Sequence, residues 1–372
     1  FYIGLKNKGT HAYGYYSSLV SAAQVFFIAI VMTFVNPFAN YPSMLPYPYS
    51  GFMQWWAWAW AAITTCYYLL ARRENRKAMT PCSSPGVVNV AKDGISNHDA
   101  PGVASTSGPA GAMNTGLACA PADGLKYKHE KARKAFHLAG FLAIISYLIV
   151  APVISDLVEQ AIVLAGPAYE IIWGPISEAY RFITPNSEEA AVTLTLFALS
   201  ATVILVMFID TFRLLAGDEY SIIALLERRA GRLLRDKERG GPGAQDYIAI
   251  SSTCAWLVGM AFQPVLASTE AIRIALASIM MSTLADGAAA IVGKARGHHK
   301  IQRPHDQVKS IEGLVAGFVV AFACAIFFMD WLVALVVAVV FLIIDYWSPP
   351  VADNAINPVI LTLVGCLVAL LV

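Results

Sequence analysis

The chain is built from long, unbroken apolar segments separated by connections that hold nearly all of its charge. A bilayer core about 30 Å thick needs about 20 predominantly apolar residues as helix, and packed bundles tolerate shorter spans. Nine segments qualify: 17–35, 52–71, 135–153, 191–210, 248–265, 270–292, 312–329, 331–346 and 356–372. Their apolar runs are continuous rather than alternating, which excludes a closed β-barrel. Hydrophobic residues are 57% of the 372 and charged residues 14%, outside the soluble globular range. The sequence therefore predicts an all-α, polytopic transmembrane helix bundle of about nine spans. A tenth stretch, 156–183, is interrupted by Asp156, Glu159, Pro167, Glu170, Pro175 and Glu178. It reads as an interfacial or re-entrant segment.

Where the charges sit sets the orientation, and the net charge of +1 carries no information about partners. Lys and Arg concentrate in 72–134, 211–247 and 293–311. With those three connections and 347–355 cytoplasmic, the links 36–51, 154–190 and 266–269 fall outside, and among them only Arg181 is basic. The chain starts at Phe1 rather than Met, which leaves room for a short leader, and no cleavable signal pattern is evident. Residues 79–125 are rich in Gly, Ala, Ser and Pro without periodicity, the composition of a disordered loop. Cys66, Cys254, Cys324 and Cys366 lie in apolar segments and Cys82 and Cys119 in that loop, with no zinc or disulfide spacing. No basic tail or aromatic-basic interleaving points to nucleic acid.

Four groups of residues could carry chemistry. Asp286 ends one apolar segment and is followed by Gly287, Ala288, Ala289, Ala290, Gly293 and Lys294; Lys309, Ser310, Glu312 and Gly313 open the next. An ionisable group at that depth is costly unless solvated, paired or bound to a cation, and the small residues admit either a ligand or a neighbouring helix. Lysines and a helix start suit phosphate, and Ser310 suits a helix cap. Arg133, Lys134 and His137 share one helical face, which serves either surface anchoring or an anion site. Asp353 and Asn354, with Asn357 and Pro358 beyond, suit magnesium or an ordinary cap equally well. Asp210, Arg213, Arg235, Glu238 and Tyr247 form a fourth group, most of whose charges read as a solvated cytoplasmic linker. Arg228, Arg229 and Arg232 read as headgroup-facing charges on an amphipathic helix. His298, His299 and His305 lack metal-ligand spacing.

Arg133-Lys134-Ala135-Phe136-His137 resembles the Arg-Lys-x-x-His signature of the CTP-dependent polyprenol kinase family, which includes dolichol, phytol and farnesol kinases and the yeast-type CTP-dependent diacylglycerol kinase. Ala285-Asp286 through Gly293-Lys294 resembles the family's Gly-Asp-x-x-Ala-x-x-x-Gly-Lys segment, with alanine in place of the first glycine. Lys309-Ser310-Ile311-Glu312-Gly313 and Asp353-Asn354-Ala355-Ile356-Asn357-Pro358 resemble its later segments, and Arg235 to Glu238 its middle loop. The likeness runs from about 130 to 372 in the family's order. The chain then divides into an N-terminal helix pair over 1–71 and a largely disordered basic loop over 72–132, both outside the likeness, and a catalytic membrane domain over 133–372, which the likeness implies. It also implies transfer of the γ-phosphoryl group of CTP to the hydroxyl of a lipid alcohol drawn from the bilayer. In that scheme Asp286, Asp353 and Asn354 hold Mg2+. Arg133, Lys134, Arg235, Gly293, Lys294, Lys309, Ser310 and Gly313 hold nucleotide phosphates, and His137 or an acidic residue, Asp286 or Glu312, serves as base. Two other readings are weighed: a CTP-dependent cytidylyltransferase making a CDP-lipid, and an anion transporter, against which stand the one-sided charges and the absence of a detectable repeat.

Overall fold

The computed structural model describes residues 12–31, 49–78, 145–150, 153, 187–217, 222, 242–303, 307–347 and 349–372. The described residues are mostly helical: α1 (Ala12–Ile30), α2 (Tyr49–Ala78), α3 (Ser187–Ala216), α4 (Ala244–Phe262), α5 (Ser268–Met280), α6 (Asp286–Arg296), α7 (Ile311–Ile326), α8 (Trp331–Trp347) and α9 (Asp353–Ala369). A π-helical stretch, Met281–Ala285, joins α5 to α6 without a break, and another spans Ser146–Val150. The expectation of an all-α fold needs one correction. The basic connection after α6 contains an antiparallel hairpin, β1 (Lys300–Arg303) with β2 (Gln307–Ser310), in which Lys300 pairs with Ser310. Two helices, Leu194–Ala216 and Thr269–Arg296, are long and apolar enough to cross a membrane, and α7, α8 and α9 are shorter apolar helices.

Helix α5 is the centre of the bundle. Ile272 and Ile279 pack into a core with Val192, Leu196, Leu199 and Trp256 of α3 and α4. On its other side, Ile274 and Ala277 join Ala321, Val337, Phe341 and Leu361 of α7, α8 and α9. From Ile274 to Ile279 α5 is buried on every side, while Arg273 nearer its start is exposed. The outer helices also leave apolar rows exposed at one-turn spacing: Val315 and Val319, Leu335, Val339 and Ile343, Leu363 and Leu367. Water disfavours such continuous surface.

Close approach fixes two of the crossings. A Cβ on Gly259 would come within 2.9 Å of the Ala275 methyl, and one on Gly365 within 2.6 Å of Ile274, so α4 and α9 each press on α5 through a glycine.

Proline 358 accounts for a third set of contacts. It sits inside α9 and brings no N–H, which leaves the carbonyl four residues earlier, that of Asn354, without its helical donor. Ser251 of α4 donates to that carbonyl at 2.6 Å, and Gln24 of α1 donates to the neighbouring Ala355 carbonyl at 2.6 Å. The Ala352 N–H, just ahead of α9, donates to Ser17 of α1 at 2.8 Å. A break in one helix thus ties three together at one end.

The boundaries shift where polar residues join helices. The sequence reading stopped a segment at 210 and treated 211–247 as linker. Instead α3 continues to Ala216, and Gly217 ends it at φ 106° with its N–H on the Arg213 carbonyl. Helix α2 likewise runs to Ala78, past the expected boundary at 71. The segments 79–125 and 156–183 lie outside the described residues.

Candidate functional site

The two segments around Gly293 and Gly313 meet across the antiparallel crossing of α6 and α7. A Cβ on Gly313 would lie 2.7 Å from the Ala289 carbonyl oxygen and 3.1 Å from the Gly293 Cα, and one on Gly317 would lie 3.0 Å from the Ala289 methyl. The run of small residues therefore serves helix contact at Ala289 and Gly293. Gly287 differs: beyond its chain neighbours and its own turn of helix backbone, no described atom lies within 4 Å of where its Cβ would be.

Ser310 caps α7, accepting the Gly313 N–H at 3.1 Å, as its place before the apolar segment predicts. Glu312 takes a structural position. Its carboxylate accepts the backbone N–H groups of His298 at 3.2 Å and His299 at 3.1 Å and lies 2.7 Å from the His299 ring Nδ1. It clamps the turn between α6 and the hairpin, and oxygens so engaged are poor acceptors for a further proton. The N-terminus of α7 is also largely satisfied from within, since Ile311 donates to the His299 carbonyl and Gly313 to Ser310. An anion there would have to displace those bonds.

Lys309 leaves β2 toward α8 and forms an ion pair with Asp345, both side chains being largely buried. The sequence reading assigned Lys309 to phosphate and overlooked Asp345. The signal was present: Asp345 is the one ionisable carboxylate in the apolar run 331–346, and a charge in such a segment calls for a partner. Lys294 projects from α6 and is exposed.

Asp286 begins α6 directly after the π-helical stretch, a local widening that re-aims the residues following it. The hydroxyls of Ser278, Ser282 and Thr283 all bond back to carbonyls four residues earlier, which further loosens the helix there. Ile274 touches Gly365 across the antiparallel pair of α5 and α9. Asp286 lies twelve residues beyond Ile274 and Asp353 twelve before Gly365. At equal rise along each helix the two carboxylates come to nearly the same height in the bundle. Asp353 does not cap α9, because the N-cap is Ala352 and makes no side-chain cap bond. Of the two readings left open for Asp353 and Asn354, the capping one is thereby removed.

A second polar cluster stands at the same end. Asp210 and Arg213, expected as linker charges, are 3% and 1% exposed and form a two-bond ion pair, with Nε to Oδ1 at 2.7 Å and a second guanidinium nitrogen to Oδ2 at 3.2 Å. The Gly243 N–H donates to both Asp210, at 2.5 Å, and Asp246, at 3.0 Å. Asp246, in the first turn of α4, reaches back to the N-cap as a capping-box acid does. Its burial had no sequence signal, because it follows the glycine-rich turn 240–243 and reads as loop.

Arg133, Lys134, His137, Arg235 and His305 lie outside the described residues. Among the described residues no group of three or more His, Cys, Asp and Glu side chains is assembled for a metal. No known family model, characterised protein or solved structure matches this chain.

Proposed function

We propose that the chain is a CTP-dependent lipid kinase of the polyprenol type, crossing the membrane about nine times with its site on the cytoplasmic face. The observation that carries the reading is that three ordered sequence segments resembling that family, at 285–294, 309–313 and 353–358, bear their polar residues at one end of a bundle with apolar flanks. Gly293 against Gly313, the Lys309–Asp345 pair and the level of Asp286 with Asp353 all support it. Helix directions agree too: α1 runs parallel to α9, with Ser17 at Ala352 and Gln24 at Ala355; α4 runs parallel to α9, with Ser251 at Asn354 and both Gly259 and Gly365 against the Ile274–Ala275 level of α5; and α3 runs opposite to α4, with Val192 at Trp256 and Asp210 at Gly243.

In this reading the hydroxyl oxygen of the lipid alcohol attacks the γ-phosphorus of CTP. The O–P bond to the lipid forms as the bridging bond to the β-phosphate breaks, CDP leaves and the hydroxyl proton passes to a base. The protein's work is positioning and charge neutralisation. Two carboxylates, Asp286 and Asp353, with the Asn354 amide are a donor set that suits Mg2+, which shares its coordination with water and substrate phosphates. When bound, the ion would neutralise phosphate charge. Lys294 is exposed and would meet phosphate from solvent; Arg133, Lys134 and Arg235, outside the described residues, are the further phosphate candidates. Lys309 would join them by exchanging Asp345 for phosphate. His137 and Asp286 remain the candidate bases, while the engaged oxygens of Glu312 argue for a role in shaping the turn.

The test uses purified protein, Mg2+ and CTP labelled at the γ-phosphate, offered polyprenols of several lengths and diacylglycerol, with ATP as competing donor. Label entering a lipid from CTP, reduced on the order of 100-fold in Asp286→Asn, is the expected result. Release of pyrophosphate with formation of a CDP-lipid would replace the kinase by a cytidylyltransferase, and absence of CTP turnover would overturn both.

A further inference from the structure

A cavity of about 420 Å³ lies between α1, α3 and α4. Its two ends differ in chemistry. At one end stand Ser18, Ser21, Asp210 and Asp246; from there the wall continues along Val25 and Phe26 of α1. Phe26 and Met207, both lining it, are 68% and 39% exposed, so the cavity opens on the flank of the bundle.

The polar end is incomplete. Ser18, Ser21 and Asp246 are each at least 95% buried. Among the described residues, the hydroxyls of both serines and Oδ1 of Asp246 find no hydrogen-bond partner. Unsatisfied buried groups of this kind cost about 1–3 kcal/mol each, and a native structure retains them where a ligand or water completes them. Arg213 and the Gly243 N–H already occupy Asp210, and the same N–H reaches Oδ2 of Asp246, which leaves Oδ1 of Asp246, a residue lining the cavity, without a donor among the described residues. What is missing is a small group that donates to Oδ1 of Asp246 and exchanges hydrogen bonds with two hydroxyls, carried on an apolar chain that leaves along Val25 and Phe26. An alcohol O–H both donates and accepts.

We infer that this cavity holds the hydroxyl end of a single-chain lipid alcohol, with Asp246, Ser18 and Ser21 on the hydroxyl and the chain leaving between α1 and α3 into the surroundings. The choice of an alcohol rests on the kinase reading, while the cavity's occupation by an amphiphile does not. The site gives α1, which lies outside the stretch resembling the kinase family, a role in substrate binding.

The test needs no nucleotide. Full-length protein in phosphatidylcholine nanodiscs is cross-linked with a diazirine analogue of geranylgeraniol, and the modified peptides are mapped. Expected are adducts on the segments carrying Val25–Ala29 and Met207. Competition by geranylgeraniol should be at least tenfold stronger than by its methyl ether. Labelling should fall at least tenfold in Ala22→Phe, which fills the cavity, and in Ser18→Ala/Ser21→Ala, which removes only two oxygens and keeps the packing. Adducts confined elsewhere, equal competition by the ether, stronger competition by a long-chain primary amine, or unchanged labelling in the serine double variant would overturn the inference. Mapped adducts without phosphoryl transfer from CTP would sink the kinase reading alone. Transfer from CTP with an unchanged KM for geranylgeraniol in Ala22→Phe and the serine variant would sink this inference alone.

Discussion

At the scale of single residues, the ion pair of Lys309 and Asp345 separates structure from chemistry. Removing one partner of a buried pair leaves the other charge uncompensated and costs about 3–5 kcal/mol, whereas replacing both by apolar residues is often neutral. Asp345→Asn is therefore expected to lower the thermal midpoint markedly, and Lys309→Met/Asp345→Leu to restore it. If Lys309 also meets phosphate, the restored double variant still loses CTP-dependent transfer; full activity in a stable double variant would reduce Lys309 to a structural role. Both residues are visible in the sequence, Asp345 as a carboxylate in an apolar run, and only their pairing is hidden, because partners 36 positions apart across two helices leave no local pattern. Glu312 shows the converse: its place in a sequence segment suggested chemistry, and its partners, two backbone N–H groups, could not be read from side-chain identities.

At the scale of elements, Pro358 and Ser251 make a coupled pair. Ser251→Ala strips the Asn354 carbonyl of its donor at a cost of about 1–3 kcal/mol. Pro358→Ala supplies a helical N–H to the same carbonyl, so the double variant should be less destabilised than the sum of the two single changes. A double-mutant cycle by chemical denaturation reads this, and strict additivity would mean that Ser251 does not serve the proline's orphaned acceptor. The crossing of α6 and α7 offers a second contrast. Gly313→Val drives a side chain into the Ala289 carbonyl and is expected to destabilise by about 1–3 kcal/mol. Gly287→Ala meets no described atom within 4 Å and should leave the unfolding midpoint within a degree or two of the parent. A Gly287→Ala protein that keeps its stability and loses turnover would mark the open space beside Asp286 as a ligand's. Apolar runs made most helices legible in the sequence, because continuous hydrophobicity is a local property. Their ends were misplaced wherever polar residues entered a helix, as at Asp210, Arg213 and Asp246, since burial of a charge depends on partners supplied by other helices. The hairpin after α6 was invisible for a related reason: eleven residues rich in Lys, Arg and His carry no alternation of apolar positions, and what holds β1 and β2 is backbone pairing together with the clamp from Glu312.

At the scale of the whole molecule, the proposed kinase needs the apolar rows on the flanks in lipid and the two ends of the bundle in different compartments. The turn at Asp330 between α7 and α8 lies at the far end from the hairpin at Lys300, because α7 runs from one to the other, about 24 Å for its sixteen residues. Both Asp330 and Lys300 are exposed. If the lysines and arginines face the cytoplasm, a cysteine at Asp330 in sealed right-side-out vesicles should react with a membrane-impermeant maleimide from outside, and one at Lys300 only after permeabilisation. Cys66 is itself exposed, and Cys82 and Cys119 lie in the polar stretch 79–125, so both variants are made with Cys66→Ser, Cys82→Ser and Cys119→Ser. Labelling of both positions from the same side would place α7 along the membrane surface and remove the multi-pass arrangement on which a cytoplasmic site depends. The reverse pattern would keep the spans and turn Asp286, Lys294 and Asp353 away from the compartment that holds CTP. The kinase proposal therefore stands or falls on this orientation before any substrate is tried.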